Sequence, residues 1–278
     1  MSVNEQFTIG DIAQVFDGPH ATPKKIEKGP YFLSISSLEK GALDLSKSAH
    51  LSEEDFVKWT RRVTPEKGDV LFSYETRLGD AAMMPPNIIA CLGRRMGLLR
   101  PDRSKIIPEY LLYSYLAPAF QETIRANTIH GATVDRIALK EMPTFPIRVP
   151  LIKEQENVVS ILKSFDEKIE TNRKINQTLE QIAQAIFKSW FEDFDPVNAK
   201  IYAREELLSK KPNATTQEIG KAEQQAAIKA ISGASNIVPA EQLETLADLF
   251  PNKLVDNLFG KIPEGWTIDS IKDISKKI

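Results

Sequence analysis

The chain has 278 residues, 42% of them apolar, and a formal net charge of −2. That is room for one large domain or two ordinary ones, with enough apolar content for a real core. Lys and Arg number 19 against 18 acids in residues 1–150 and 17 against 20 in 151–278, which excludes coating nucleic acid by charge alone and requires any basic surface to be a patch made by folding.

Cys91 is the single cysteine, so neither an internal disulfide nor a cysteine zinc cluster can form. The N-terminus has no basic-then-apolar signal layout. No window approaches the apolar run that a membrane span needs. The expected compartment is the cytoplasm.

The chain is expected to be α+β: a mixed α/β domain followed by a long helix of coiled-coil type. In residues 1–150 the runs "YFLSIS" (31–36), "DVLFSY" (69–74), "NIIACLG" (87–93) and "MGLLRP" (96–101) read as strands, punctuated by turns such as "DGPH", "PEKGD" and "MPPN". "SEEDFVKWTRR" reads as a helix with Ser52 as N-cap and acids in its first turn. "PEYLLYSYLAPAFQETIRA" reads as a second helix with Pro108 in its favoured first-turn position. "MPTFPIRVPL", with Pro143, Pro146 and Pro150, suits an extended connector and marks a domain boundary near residue 150.

The strongest periodicity follows. From about Lys153 to Phe191 there is neither proline nor glycine. Val158, Leu162, Phe165, Ile169, Asn172, Asn176, Leu179, Ala183, Ile186 and Trp190 recur at alternating gaps of four and three, an a/d heptad seam. Ile161, Ile175 and Ile182 widen it. Such a helix is ~57 Å long at 1.5 Å per residue. Two arrangements are open, packing on its own domain or against a partner helix, and a rod longer than a domain is wide favours the partner. Asn172 and Asn176 sit mid-seam, where buried Asn sets register and orientation at a cost in stability.

Residues 198–235 are rich in Ala, Glu, Lys and Gln, and read as one or two exposed helices forming a spacer, capped at Thr215 or Thr216. "QLETLADLF" is a further short helix. At the two ends "IGDIAQVF" (9–16) and "IKDISKKI" (271–278) share the pattern I-x-D-I-[AS]-x-x-[FI], which suggests a domain opening that recurs.

Enzyme signatures are missing from the sequence. It holds no phosphate loop and no dinucleotide-binding glycine turn. His20, His50 and His130 lack metal-ligand spacing, and no serine sits in a nucleophile elbow.

Taken in order, "IGDIAQVF", "TPEKGDVLFSYETRLGDAAMMP", the stretch from His130 to Val197 and "FGKIPEGWTIDSIKDI" resemble the specificity subunit of type I restriction–modification systems. The resemblance implies a target-recognition domain over 1–150, the conserved spacer helix over 151–197, a helical spacer over 198–259, and the start of a second recognition domain over 260–278. The chain is thus similar to a half-subunit. The resemblance further implies a non-catalytic reader of split sites in double-stranded DNA. Its partners would be a methylation subunit carrying S-adenosylmethionine and a motor-nuclease subunit using ATP and Mg, with no cofactor on this chain. The long helix would pair with a second copy or with another specificity polypeptide. The competing expectation is a coiled-coil assembly scaffold without DNA-reading activity.

A DNA reader needs phosphate contacts for position and base-edge contacts for sequence, carried on loops. Four segments qualify. "FDGPHATPKK" offers His20, Thr22, Lys24 and Lys25. "WTRR" offers Arg61 and Arg62. "SYETRLGD" offers Tyr74, Thr76 and Arg77, of which Arg77 is the favoured contact. "TIHGATVDR" offers His130, Thr133 and Arg136. Arg94 and Arg95 are weaker candidates.

Overall fold

The computed structural model describes residues 6–234, 238–258 and 260–268. Contacts divide the chain into two units, Met1–Glu167 and Lys168–Ile278.

The first unit is built on a four-stranded antiparallel sheet, in the order Ala13–Asp17, Met96–Pro101, Val70–Ser73, Ala81–Met83. Its two inner strands are almost wholly buried, so both faces are covered. The two-residue period of a strand divides the side chains. Val70, Phe72 and Leu99 face a core with Tyr110, Tyr115, Phe120 and Phe145. Leu71, Met96 and Leu98 face a second core with Leu33, Leu38, Met84 and Leu92. A smaller sheet places Ile26–Phe32 between Ala49–His50 and Ala90–Cys91. The strand expected at 96–101 has those bounds, and the one expected at 31–36 ends at Phe32, before a 3-10 turn over Ile35–Ser37.

Local sequence explains the helices. Ser52 Oγ accepts from Asp55 N at 3.1 Å and caps Glu53–Trp59, as expected. The single helix expected over 108–126 is two, Pro108–Leu116 and Pro118–Ala126, because the Pro118 ring forces Ala117 to an extended ψ of 148°. Gln121 Nε2 then donates to the Tyr115 carbonyl at 2.8 Å, which satisfies a group freed by the break. The expected connector after Pro143 is a structural strand: Pro146–Arg148 pairs with Gln6–Thr8 and closes the unit on its own beginning. "IGDIAQVF" is one helical turn, Ile9–Ile12, leading into the first sheet strand, and Asp11 Oδ2 accepts from Thr8 N at 2.8 Å. Its second copy at 271–278 lies outside the described residues.

The long helix runs Ile152–Phe187, 36 residues, or ~54 Å. A π-helical turn over Lys188–Glu192 ends it.

The second unit has a core of its own, which the expectation of an exposed spacer did not include. Asp195–Lys210, Thr216–Ala234 and Ala240–Leu249 bury Val197, Ala227, Ile231, Ala247 and Phe250 together. Of the two caps expected, Thr215 is the one: its Oγ1 accepts from Glu218 N at 3.3 Å, and Glu218 Oε2 accepts from Thr215 N at 2.9 Å in return. A hairpin, Leu254–Asn257 with Gly260–Pro263, follows, so a boundary at residue 260 cuts through paired strands. Trp190, expected in the heptad seam, instead packs against the core around Phe250, because the π-turn breaks the heptad register just before it.

Candidate nucleic-acid interface

The sheet register gathers the predicted loops. Asp17 stands opposite Gly97, Ser73 opposite Met96, and Phe72 opposite Ala81. Antiparallel neighbours turn at the same end, so loops 18–25, 74–80 and 92–95 all emerge from one end of the sheet. The ribbon of Thr128–Ile129 and Arg136–Ile137 is tied to them: Ile137 N donates to Tyr74 O at 2.8 Å and Thr76 N to Asp135 O at 3.0 Å. The 61–62 turn joins through Arg62 Nη1, which donates to Asp17 Oδ1 at 2.5 Å. All four sequence-predicted segments therefore converge on one face.

Two glycines allow that convergence. A Cβ on Gly93 would lie 1.8 Å from the Leu33 carbonyl oxygen, and one on Gly18 would lie 2.7 Å from that of Gly93. Neither contact is physically possible for another residue without moving the backbone.

The face is basic. Among the described residues, Lys24, Lys25, Arg61, Arg94 and Arg136 are exposed and make no ion pair with a carboxylate. Lys25 and Arg94 line a groove of ≈440 Å³ together with Thr22, Ser34, Ser36, Ser46, Lys47 and Ser48. Lys47 is held by Glu39 Oε2 at 2.7 Å and Asp44 Oδ2 at 3.2 Å, which raises its pKa. His130 and Thr133 are exposed on the ribbon, and His130 Nδ1 lies 3.1 Å from Asp135 Oδ1.

Two candidates are placed otherwise. Tyr74 is only 8% exposed and belongs to the core, with its hydroxyl buried and its pKa raised chiefly by desolvation; its ring is not presented to a ligand. Arg77 is exposed, but its guanidinium is engaged within the chain, donating to the carbonyls of Ile35 at 3.2 Å and Leu38 at 3.1 Å and pairing with Asp80. These bonds brace the loop against the segment around Ile35 and Leu38.

Arg95 gains importance in exchange. Thr76 and Arg95 both have φ of +73°, an outlier for a β-branched residue such as threonine. Arg95 Nη1 donates to Thr76 Oγ1 at 3.3 Å, and its Nε lies 3.0 Å from Glu75 Oε2, an ion pair without hydrogen-bond alignment. Strained positions held by their neighbours cluster at functional sites. No sequence signal marked these two conformations, since neither residue is glycine or asparagine.

The predicted helix seam is bare. Val158, Leu162, Phe165, Ile169 and Leu179 are 37–60% exposed, and Asn172, Asn176 and Ala183 are exposed beside them, with Ile186 half-buried. An apolar stripe of this extent is more than a monomer ordinarily leaves uncovered. Among the described residues there is no cluster of metal-ligating side chains, and no helix is long and apolar enough to cross a membrane.

Residues 1–181 match the family model of the type I restriction modification DNA specificity domain. The chain is 32% identical over 228 residues to the type I restriction enzyme HindI specificity subunit of Haemophilus influenzae, covering 77% of this chain and 48% of that protein. It is 26% identical over 194 residues to the MjaIX specificity subunit of Methanocaldococcus jannaschii, covering 70% and 41%. It thus spans somewhat under half the length of these curated relatives. A crystal structure of a type I restriction–modification S subunit from M. genitalium matches at 17% identity and a TM-score of 0.44, over 75% of this chain and 48% of that one. With the family model covering well over half of its residues, the chain belongs to the type I restriction modification DNA specificity family.

Proposed function

We propose that the chain is a non-catalytic, sequence-reading subunit that directs partner methylation and restriction subunits to a split site in double-stranded DNA in the cytoplasm. The observation that carries this reading is the convergence of four loops, with five cations lacking carboxylate partners, at one end of a rigid sheet. Lys24, Lys25, Arg61 and Arg94 supply phosphate contacts, which position the duplex without reading it. Arg136, His130, Thr133 and Thr76 lie on the adjoining ribbon and loop, where an arginine can read guanine bidentately. S-adenosylmethionine, ATP and Mg belong to the partner subunits.

The bare seam supports pairing with a partner helix. Two copies paired about a two-fold axis would read a palindromic split site; a different reader brought to the seam would give an asymmetric one. A pure scaffold would need the seam but offers no account of the cationic loops.

The test is duplex binding by the full chain across a salt series, with and without the methylation subunit. Selective binding that falls linearly in log K against log salt supports the reading. Equal, weak binding to all duplexes in both conditions contradicts it.

A further inference from the structure

The first turns of the long helix are held on the first unit by polar side chains. Gln155 is fully buried. Its Oε1 accepts from Ile107 N at 2.8 Å, and its Nε2 donates to Lys105 O at 3.1 Å and Pro150 O at 2.9 Å. One side chain thus ties the helix to the turn before Pro108–Leu116 and to Pro150, two residues before the helix begins. Eleven residues on, Asp166 Oδ2 accepts from the Tyr113 hydroxyl at 2.6 Å. Between the two anchors, Val159 packs against the core.

Helical geometry shows what this joint holds and what it leaves open. At 3.6 residues per turn, positions 155, 159 and 166 fall within ~40° of one another. Seam residues Val158, Leu162 and Phe165 centre ~70° away. The unit grips one face and leaves the seam free beside it.

A buried leucine would dock a helix without demanding one alignment. A buried amide with both ends bonded does demand one: sliding the helix by a residue turns it ~100° and leaves Gln155 and the Ile107 amide unpaired. Buried polar groups are best attested as devices that set register.

We propose that Gln155, seconded by the Tyr113–Asp166 pair, is a positioning residue that fixes the rotational phase of the reading domain on its helix and so selects the spacing between half-sites. This rests on the DNA-reading function proposed above. One base pair turns B-DNA by about 35°, so a reader free to rotate by that much accepts a neighbouring spacing.

The experiment uses the full chain with its methylation subunit. Wild-type protein first selects its half-sites from random duplexes, which are then rebuilt with spacers varied in single-base-pair steps. Gln155→Met keeps the volume and removes the hydrogen bonds; Tyr113→Phe is the milder second variant. The wild type is expected to favour one spacing by at least ~10-fold, about 1.4 kcal/mol. The variants are expected to lose most of that preference while keeping the same half-site bases. Variants that bind more weakly but keep the wild-type spacing profile overturn the proposal and leave Gln155 a structural residue. Wild type that selects no sequence overturns the DNA-reading function itself, a distinct result.

Discussion

Arg77 donates to the main-chain carbonyl of Leu38 at 3.1 Å, and that bond reaches from loop 74–80 to the segment following the 3-10 turn. With its second bond to Ile35 and its ion pair to Asp80, the guanidinium holds two loops of the candidate interface together. Arg77→Ala is therefore expected to cost ~1–2 kcal/mol of stability. Urea unfolding of the full chain measures it. Loss of base selectivity with unchanged stability would instead make Arg77 a reader.

Arg136 and Lys25 separate the two kinds of DNA contact. Arg136→Ala should cost ~1–3 kcal/mol on the matched duplex and relax the choice at one base. Lys25→Ala should weaken matched and mismatched duplexes alike and lower the salt slope by about one. Fluorescence anisotropy on matched and single-mismatch duplexes distinguishes them. Identical behaviour of the two variants would contradict the assignment.

The seam makes a prediction about association. Ile169→Lys with Leu179→Lys places charges on an exposed apolar stripe that is proposed to pair. Sedimentation equilibrium should show the loss of the dimer, with helical circular dichroism largely retained in the monomer. Asn172→Leu with Asn176→Leu should retain association but leave the partner's orientation less well defined in cross-linking.

Cys91 is fully buried, and desolvation pushes its thiol pKa up to about 12. The reactive thiolate is therefore scarce at neutral pH. Native protein should resist alkylation at pH 8, and labelling should rise only in step with unfolding. Rapid labelling of folded protein would show that the sheet around Phe32 and Leu51 opens locally.

Glu218 is held at a pKa of about 2 by Lys211 first and then by Thr215. A depressed carboxylate pKa contributes stability that is fully present above its unfolded value near 4.5 and is lost as pH falls through the folded one. Thermal melts of the full chain should show the Trp190 and Trp266 signal destabilising between about pH 4.5 and 2, and Glu218→Gln should flatten that slope.

Local chemistry was legible in the sequence. Ser52 announces its cap, and the pair Thr215 and Thr216 marks a second to within one residue, because a cap depends on residues three apart. The strand at 96–101 is legible as an apolar run, and the seam from Val158 to Ile186 as a heptad. Long-range pairing was not. Nothing near Pro146 tells that it will stand opposite Thr8, and Gln155 looks like one more polar helix residue until Ile107 and Lys105 meet it. Trp190 fits the heptad arithmetic and is misplaced by it, because a π-turn shifts the phase without leaving a proline or glycine behind. The four loop segments are visible in the sequence as turns between apolar runs, but their gathering at one end of the sheet is not. The burial of Tyr74 and the hydrogen bonds of Arg77 to Ile35 and Leu38 are not legible either, since both are properties of the packed unit.

The first unit is proposed to read one half-site, and the long helix to hold a second reader at a fixed distance. Sequencing of methylated sites in cells carrying the chain with its methylation subunit tests it most directly. The expected result is a methylated motif of two half-sites separated by a fixed spacer, palindromic where the helix pairs with a second copy. The absence of any methylated motif would contradict it.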